Sequence, residues 1–350
     1  MKKIAFLFII ASQFCIAQIP TGYYNSAQGL TGNNLKVALH NIIKNHTVLA
    51  YSNLWNVFPN SDKKTNGKVW DIYSYVPSGT QPYEYTFVTN QCGNYNSEGD
   101  CYNREHSWPQ SWFNSDVNPS SDLFHIYPTD GKVNAIHANY PYGNVGSAAT
   151  ITQNGSKLGT CTNTGYNLTV FEPIDEFKGD LARSYFYMST RYYNEDGSWA
   201  VTDATNKADI LPWQVNVLLQ WHTQDPVSSK ETARNNVIYL SQNNRNPFID
   251  NPQWADSIWK STIIGIKEFT YAKSEFSIYP NPSNDYFAIK NETNSTPFTL
   301  TIFNMYGELI KKATVTSDEK INCSTWANGV YFISINDSKH NNYLKFVKNY

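Results

Sequence analysis

The chain has 350 residues and a formal net charge of −2, with 41% apolar and 16% charged residues. That balance supplies a sizeable core and excludes a disordered, self-repelling polymer, and the length suits two domains. The 25 Tyr, 18 Phe and 10 Trp predict many buried rings whose hydroxyls and indole nitrogens need partners.

Lys2 and Lys3 precede an apolar run, Ile4 to Ile10, and Cys15-Ile16-Ala17 offers small residues at a cleavage position. This is the layout of a secretory signal peptide over residues 1–17, cut after Ala17. No later apolar run is long enough to span a bilayer, so stable membrane insertion is not expected. Export implies an oxidising compartment. Cys92 and Cys101 lie nine residues apart across a turn-rich loop and are expected to pair. Cys161 and Cys323 fall in different domains and are expected to stay unpaired. Zinc is disfavoured, because no C-x-x-C or paired Cys/His spacing occurs.

Residues 18–268 read as one α+β unit. Leu30, Leu35, Ala38, Leu39, Ile42 and Ile43 recur at helical spacing after Thr31-Gly32-Asn33. Val69 to Val76 and Tyr83 to Val88 are β-rich and predict strands. Leu181 to Tyr193, Leu211 to His222 and Glu231 to Leu240 predict helices, with Pro212 tolerated in a first turn. Residues 269–275 form a plausible linker. Beyond it, short β-patterned runs at 276–279, 286–289, 298–304, 309–316 and 329–335 predict a small β-sandwich over 276–350. Acids outnumber bases over 18–275, so polyanion chemistry there must rely on a local cluster and a metal ion.

Three of the seven histidines fall between His106 and His137. The stretch from Asn103 to Trp112 carries Glu105 and His106; the stretch from Asp122 to Tyr140 carries His125, Asn134, His137 and Asn139. Glu105 is a hard oxygen ligand and Asn134 a neutral carbonyl donor. The pair suits Mg²⁺, with Ca²⁺ or Mn²⁺ as alternatives, better than zinc. His106 titrates near neutrality in water and is fit to activate a water molecule. Neighbours in a strand point to opposite faces, so the strand must bend or end here for both to serve one site. Pro109 is consistent with that, and Thr129-Asp130-Gly131 reads as a turn opening a short helix that carries Asn134 and His137. Residue types alone leave open a surface Glu-His pair and a satisfied core His125.

Arg104 to Trp112 followed by Asp122 to Tyr140 resembles the endonuclease I family of secreted and periplasmic nucleases. Ala182 to Met188, Trp221, Asp225 to Ser228 and Gln242 to Phe248 extend the likeness in order over about 20–265. The resemblance implies a mixed helical nuclease domain with a ββα-metal core. His106 would be the general base, and Glu105 and Asn134 would hold one divalent cation. The products would be 5′-phosphate ends of DNA and RNA, cut with little sequence specificity. It gives Asp122, His125 and Asn139 supporting roles; His137 is a further supporting candidate by its place in the short helix, where it could equally be a capping or packing residue. Arginine is common in the family where His137 stands here, and a loop that carries a further phosphate-binding arginine in some members is shorter. Arg183 and Arg245 are the candidates left for that contact. Phe276 to Ser283, Ile302 to Gly307, Gly329 to Phe332 and Lys348 resemble the type A sorting domain of type IX secretion. That implies a secretion machinery as partner and a secreted, extracellular or surface location. Competing readings are a metal-dependent phosphodiesterase on small substrates and a non-enzymatic adhesin that binds glycans through its aromatic rings.

Overall fold

The computed structural model describes residues 18–263, 276–291, 297–316, 320–336 and 341–349. The expected signal peptide and linker lie outside the described residues. The chain divides into two compact units between Lys267 and Glu268.

The first unit opens with α1 (Gly32–Ile43), which buries Leu35, Leu39 and Ile43, four residues apart along one side. Then come α2 (Leu54–Ser61), the antiparallel pair β1 (Tyr102–His106) and β2 (Ile126–Asp130), and α3 (Gly131–His137). A three-stranded antiparallel sheet follows: β3 (Val145–Ile151), β4 (Lys157–Cys161) and β5 (Thr169–Glu172). The sequence reading has no counterpart for that sheet.

The centre of the unit is α4 (Lys178–Arg191). All 14 of its residues are buried, so it presents no single apolar stripe. Aromatic rings surround it, with Tyr185 against Trp108 and Tyr142, and Phe186 against Trp259. The two-residue strands β6 (Thr205–Asn206) and β7 (Asp209–Ile210) form a hairpin before α5 (Pro212–Gln224). Next comes α6 (Ser229–Gln242), started by a Ser228/Glu231 capping box. The helices end with α7 (Pro247–Asp250) and α8 (Gln253–Ile263).

Gly179 marks the closest approach between α4 and the end of α5. A Cβ there would lie 2.0 Å from the Asp225 carbonyl oxygen and 2.7 Å from Arg183 Nη2. Backbone cannot swing aside as a flexible side chain can. Gly179→Ala is therefore expected to destabilise the unit by about 1–3 kcal/mol or more through overpacking, read as a lower denaturant midpoint.

Val69–Val76 and Tyr83–Val88 do not form strands; an isolated bridge joins Lys63 to Val69, Val69 N–H donates to the Tyr85 carbonyl, and Trp70 and Ile72 N–H donate to the Asp62 and Pro128 carbonyls. The reason is Asp71. Its buried carboxylate accepts from the backbone N–H groups of Tyr73, Ser74 and Asp130 and from the Thr129 hydroxyl. Those bonds curl the chain into a turn pinned to β2. The rings that mimic a β pattern are core residues: Tyr73 and Tyr85 are almost fully buried.

Cys92 and Cys101 are disulfide-bonded with Cα atoms 5.4 Å apart, immediately before β1. Cys161 and Cys323 are free and buried.

The second unit contains β8 (Phe276–Tyr279), β9 (Tyr286–Asn291), β10 (Phe298–Asn304), β11 (Leu309–Val315), β12 (Lys320–Asn322), β13 (Gly329–Asn336) and β14 (Asn341–Lys348). They make a four-stranded sheet, β11-β10-β13-β14, and a three-stranded one, β12-β9-β8. Alternate residues of both, including Phe287, Ile289, Leu300, Ile302, Ile333 and Ile335, share one core. The strands β12 and β14 are additions to the five expected. No helix among the described residues is long and apolar enough to cross a membrane.

Candidate active site

The ββα unit places the chemistry-bearing residues. Glu105 pairs with Tyr127 and His106 with Ile126 across the two strands. The helix α3 begins directly after β2, because the Asp130 side chain caps it by accepting from Val133 N–H at 2.8 Å. Strand alternation sends Asn103 and Glu105 to one side of β1 and Arg104 and His106 to the other. β1 ends on His106.

On one side, Glu105 is buried. Its Oε1 accepts from the Tyr73 hydroxyl at 2.8 Å and from His137 Nδ1 at 2.6 Å. The Tyr73 hydroxyl is also in close contact with that of Tyr142. Burial raises both phenols well above their ordinary range, so they stay protonated, with Tyr142 donating to Tyr73 and Tyr73 to Glu105. The His137 ring stacks on Tyr142, centroids 5.0 Å apart, and its Nδ1 must carry a proton to bond a carboxylate. With Oε1 occupied, Oε2 of Glu105 has no hydrogen-bond partner among the described residues. Nearby, the Asn134 amide donates to Asn103 Oδ1 at 2.7 Å and weakly to the Arg104 carbonyl at 3.5 Å. That orientation leaves Asn134 Oδ1 without a donor among the described residues.

On the other side, His106 Nε2 lies 3.2 Å from the Ser120 carbonyl oxygen. A carbonyl only accepts, so Nε2 carries the hydrogen and Nδ1 keeps its lone pair. Burial, with a smaller push from His125, lowers the ring's pKa to about 4, so it is neutral near pH 7. The Glu105 charge acts weakly in the opposite sense on the same ring. Tyr51 stacks on His106 with centroids 5.7 Å apart and planes 26° apart.

His125 sits behind His106, rings 5.4 Å apart, with Nε2 2.7 Å from the Pro119 carbonyl. It is fully buried and kept neutral by that burial, with a pKa of about 4. Asp122 is fully buried and accepts from Tyr187, Tyr192, Gln242 and Phe124 N–H, tying the loop before β2 to α4 and α6. Burial would raise its carboxyl, but the facing His46 and His125 rings and the hydrogen bonds hold it below its ordinary value. Asn139 is exposed just past α3.

The donor set has a recognisable chemistry. One carboxylate oxygen and one amide oxygen have no donor among the described residues, and both are hard. Among the described residues no group of three or more His, Cys, Asp or Glu is arranged to hold a metal. A cation bound here would keep several positions for water and phosphate oxygens, which fits Mg²⁺.

Residues 31–253 match the Endonuclease I family. This chain belongs to that family. It is 38% identical over 243 residues to the extracellular ribonuclease of Bacillus amyloliquefaciens, covering 68% of this chain and 78% of the relative. Its identity to the extracellular ribonuclease of Bacillus subtilis (strain 168) is 36% over 246 residues, with the same coverage. An endonuclease-1 of Buchnera aphidicola subsp. Baizongia pistaciae is 28% identical over 130 residues, 37% of this chain and 46% of that one. Residues 277–349 match a secretion system C-terminal sorting domain. The chain is thus a secreted nuclease.

In this endonuclease Arg183 and Arg245 do not reach the ββα unit's open end. Arg183 is fully buried and bidentate to Glu231, Nε–Oε1 2.5 Å and Nη2–Oε2 2.8 Å. Arg245 is buried and bidentate to Asp250 at 2.6 and 2.7 Å. Both guanidiniums are paired with structural carboxylates, with only Arg245 Nη1 left without a hydrogen-bond partner among the described residues, and freeing either for a phosphate would leave a buried charge unpaired. The sequence reading also passes over Tyr73, Tyr142 and Tyr51. No local signal marks them, since Tyr73 reaches Glu105 and Tyr51 reaches His106 only through tertiary packing from far upstream.

Proposed function

We propose that this endonuclease hydrolyses phosphodiester bonds of both DNA and RNA with little sequence specificity, using His106 as general base and Glu105 with Asn134 as holders of one divalent cation, Mg²⁺ by preference. The observation that carries the reading is the His106 tautomer. A neutral imidazole with Nε2–H anchored on the Ser120 carbonyl offers its Nδ1 lone pair at the end of β1. Nδ1 removes a proton from water, the water oxygen attacks phosphorus, and the bond to the 3′-oxygen breaks. The departing 3′-oxygen takes a proton from solvent water and His106 later returns its own to solvent, so the products are a 5′-phosphate and a 3′-hydroxyl. A cation, when bound, supplies charge to offset the crowded phosphate and the leaving oxygen. Glu105 Oε2 and Asn134 Oδ1 are the atoms that would hold it. Tyr73 and His137 orient the carboxylate for that task.

RNA is included because two relatives are named as ribonucleases, and DNA because another is named an endonuclease. Low specificity follows if contacts run to phosphate and sugar, which carry no base identity. Supercoiled plasmid and a labelled RNA, each incubated with the mature protein and Mg²⁺, are expected to be cut and to stay whole with excess chelator. Cleaved ends should carry 5′-phosphate and accept ligation. Intact polymer in every tube sinks the reading.

A further inference from the structure

The chain has five arginines. Four are neutralised by carboxylates: Arg183 by Glu231, Arg191 by Glu195, Arg234 by Asp62 and Arg245 by Asp250. Arg104 differs. It has no carboxylate partner among the described residues and is half-buried rather than enclosed. Its Nη1 donates to the Tyr51 carbonyl at 2.7 Å, and its guanidinium lies 3.5 Å from the Tyr51 ring centroid and 4.6 Å from that of Trp55. The same Tyr51 ring stacks on His106 and is 38% exposed. Arg104 and His106 project from the same side of β1, two residues and about 6.6 Å apart along the strand. Successive phosphates along a nucleic acid are separated by a similar distance.

A guanidinium fixed by two rings and one carbonyl still has donors to spare, since it carries five N–H groups. An unpaired cation held rigidly beside the proposed base is arranged for an anion that arrives from outside. We propose that Arg104, positioned by Tyr51 and Trp55, is the phosphate-binding cation of this active site and grips the nucleic-acid backbone at the cleaved step. It takes over the contact for which Arg183 and Arg245 are too deeply committed. In a chain of net charge −2, one such local contact carries an outsized share of substrate attraction. Aromatic neighbours also let the guanidinium keep its plane while one edge faces the phosphate.

The proposal rests on the nuclease reading of this site, so the test separates the two. Binding of single-stranded oligonucleotides is measured by fluorescence anisotropy in a His106→Ala background with Ca²⁺, over a salt series. Adding Arg104→Gln is expected to weaken binding about 10–100-fold, as loss of a charge-assisted bond does, equally for homopolymers of each base. The slope of log affinity against log salt should shrink by roughly 0.7, one phosphate's worth for a single strand. Arg104→Lys should keep the full slope with an intermediate affinity. In the active protein Arg104→Gln should raise KM far more than it lowers kcat. An unchanged salt slope, with or without weaker binding, overturns the proposal, because a merely structural arginine would not alter the number of phosphates neutralised. A wild-type protein that neither binds nor cleaves polymer would instead overturn the nuclease reading of the site.

Discussion

Replacing His106 with alanine is expected to lower turnover on plasmid DNA by about 10²–10⁴-fold, a barrier increase of about 3–5 kcal/mol. The reason lies in the ring's wiring. Nε2 is committed to the Ser120 carbonyl, so Nδ1 is the basic atom, and burial keeps the ring neutral near pH 7. No second group stands ready to take its place. His125 is equally neutral, but it lies behind His106 with Nε2 on Pro119 and its Nδ1 enclosed. Divalent-cation affinity, read by calorimetric titration, should stay near that of the parent protein. His106→Asn serves as the companion variant, because it fills more of the space left against Phe113 and His125. If either variant cuts within tenfold of the parent rate, His106 is not the base.

The contrast between β1 and the segment at 69–76 shows what a sequence can reveal about such a site. Glu105, His106 and Asn134 are legible because their chemistry is written into residue type and short-range order: a carboxylate beside an imidazole, then a turn that opens a helix. The buried side of α1 is legible from the spacing of Leu35, Leu39 and Ile43. Val69–Val76 reads as a strand because aromatic and β-branched residues favour strands only when a pleated, half-buried surface receives them. Here the Asp71 carboxylate gathers four donors and bends the chain instead. The sheet β3–β5 escapes for the opposite reason. β3 is Val-Gly-Ser-Ala-Ala-Thr-Ile, largely exposed and poor in the residues that announce a strand.

Partner identity is illegible for a deeper reason. Arg183 offers a phosphate-binding group on paper, yet Glu231 lies 48 residues downstream and only the tertiary fold brings them together. The same holds for His137. Residue type suggests a packing or capping histidine at the end of a short helix; the fold makes it a donor to Glu105. Tertiary context therefore decides which cations are consumed inside the protein and which remain for a substrate. Of the arginines, Arg104 alone survives that sorting at the open end of β1.

Glu105→Gln is expected to reduce Mg²⁺ affinity by at least about 100-fold, beyond the 10–100-fold that loss of an orienting partner costs. In the native side chain, Tyr73 and His137 both donate to Oε1, so Oε2 and its share of negative charge remain for a cation. An amide cannot reproduce this. If its oxygen faces the two donors, its NH₂ faces the cation; if it flips, its NH₂ faces two donors in a buried pocket, where an unmatched polar group costs about 1–3 kcal/mol. His137→Ala removes one of the two tethers but leaves the carboxylate, so its affinity should fall only by about 10–100-fold. The two variants then separate on one further measurement. Raising Mg²⁺ should restore most of the cleavage rate to His137→Ala, because the ligand survives and only its aim is loosened. It should restore little to Glu105→Gln, whose ligand has lost its charge. Equal Mg²⁺ affinity in Glu105→Gln and the parent protein would move the cation off this carboxylate, and with it the reason for burying Glu105 between a phenol and an imidazole.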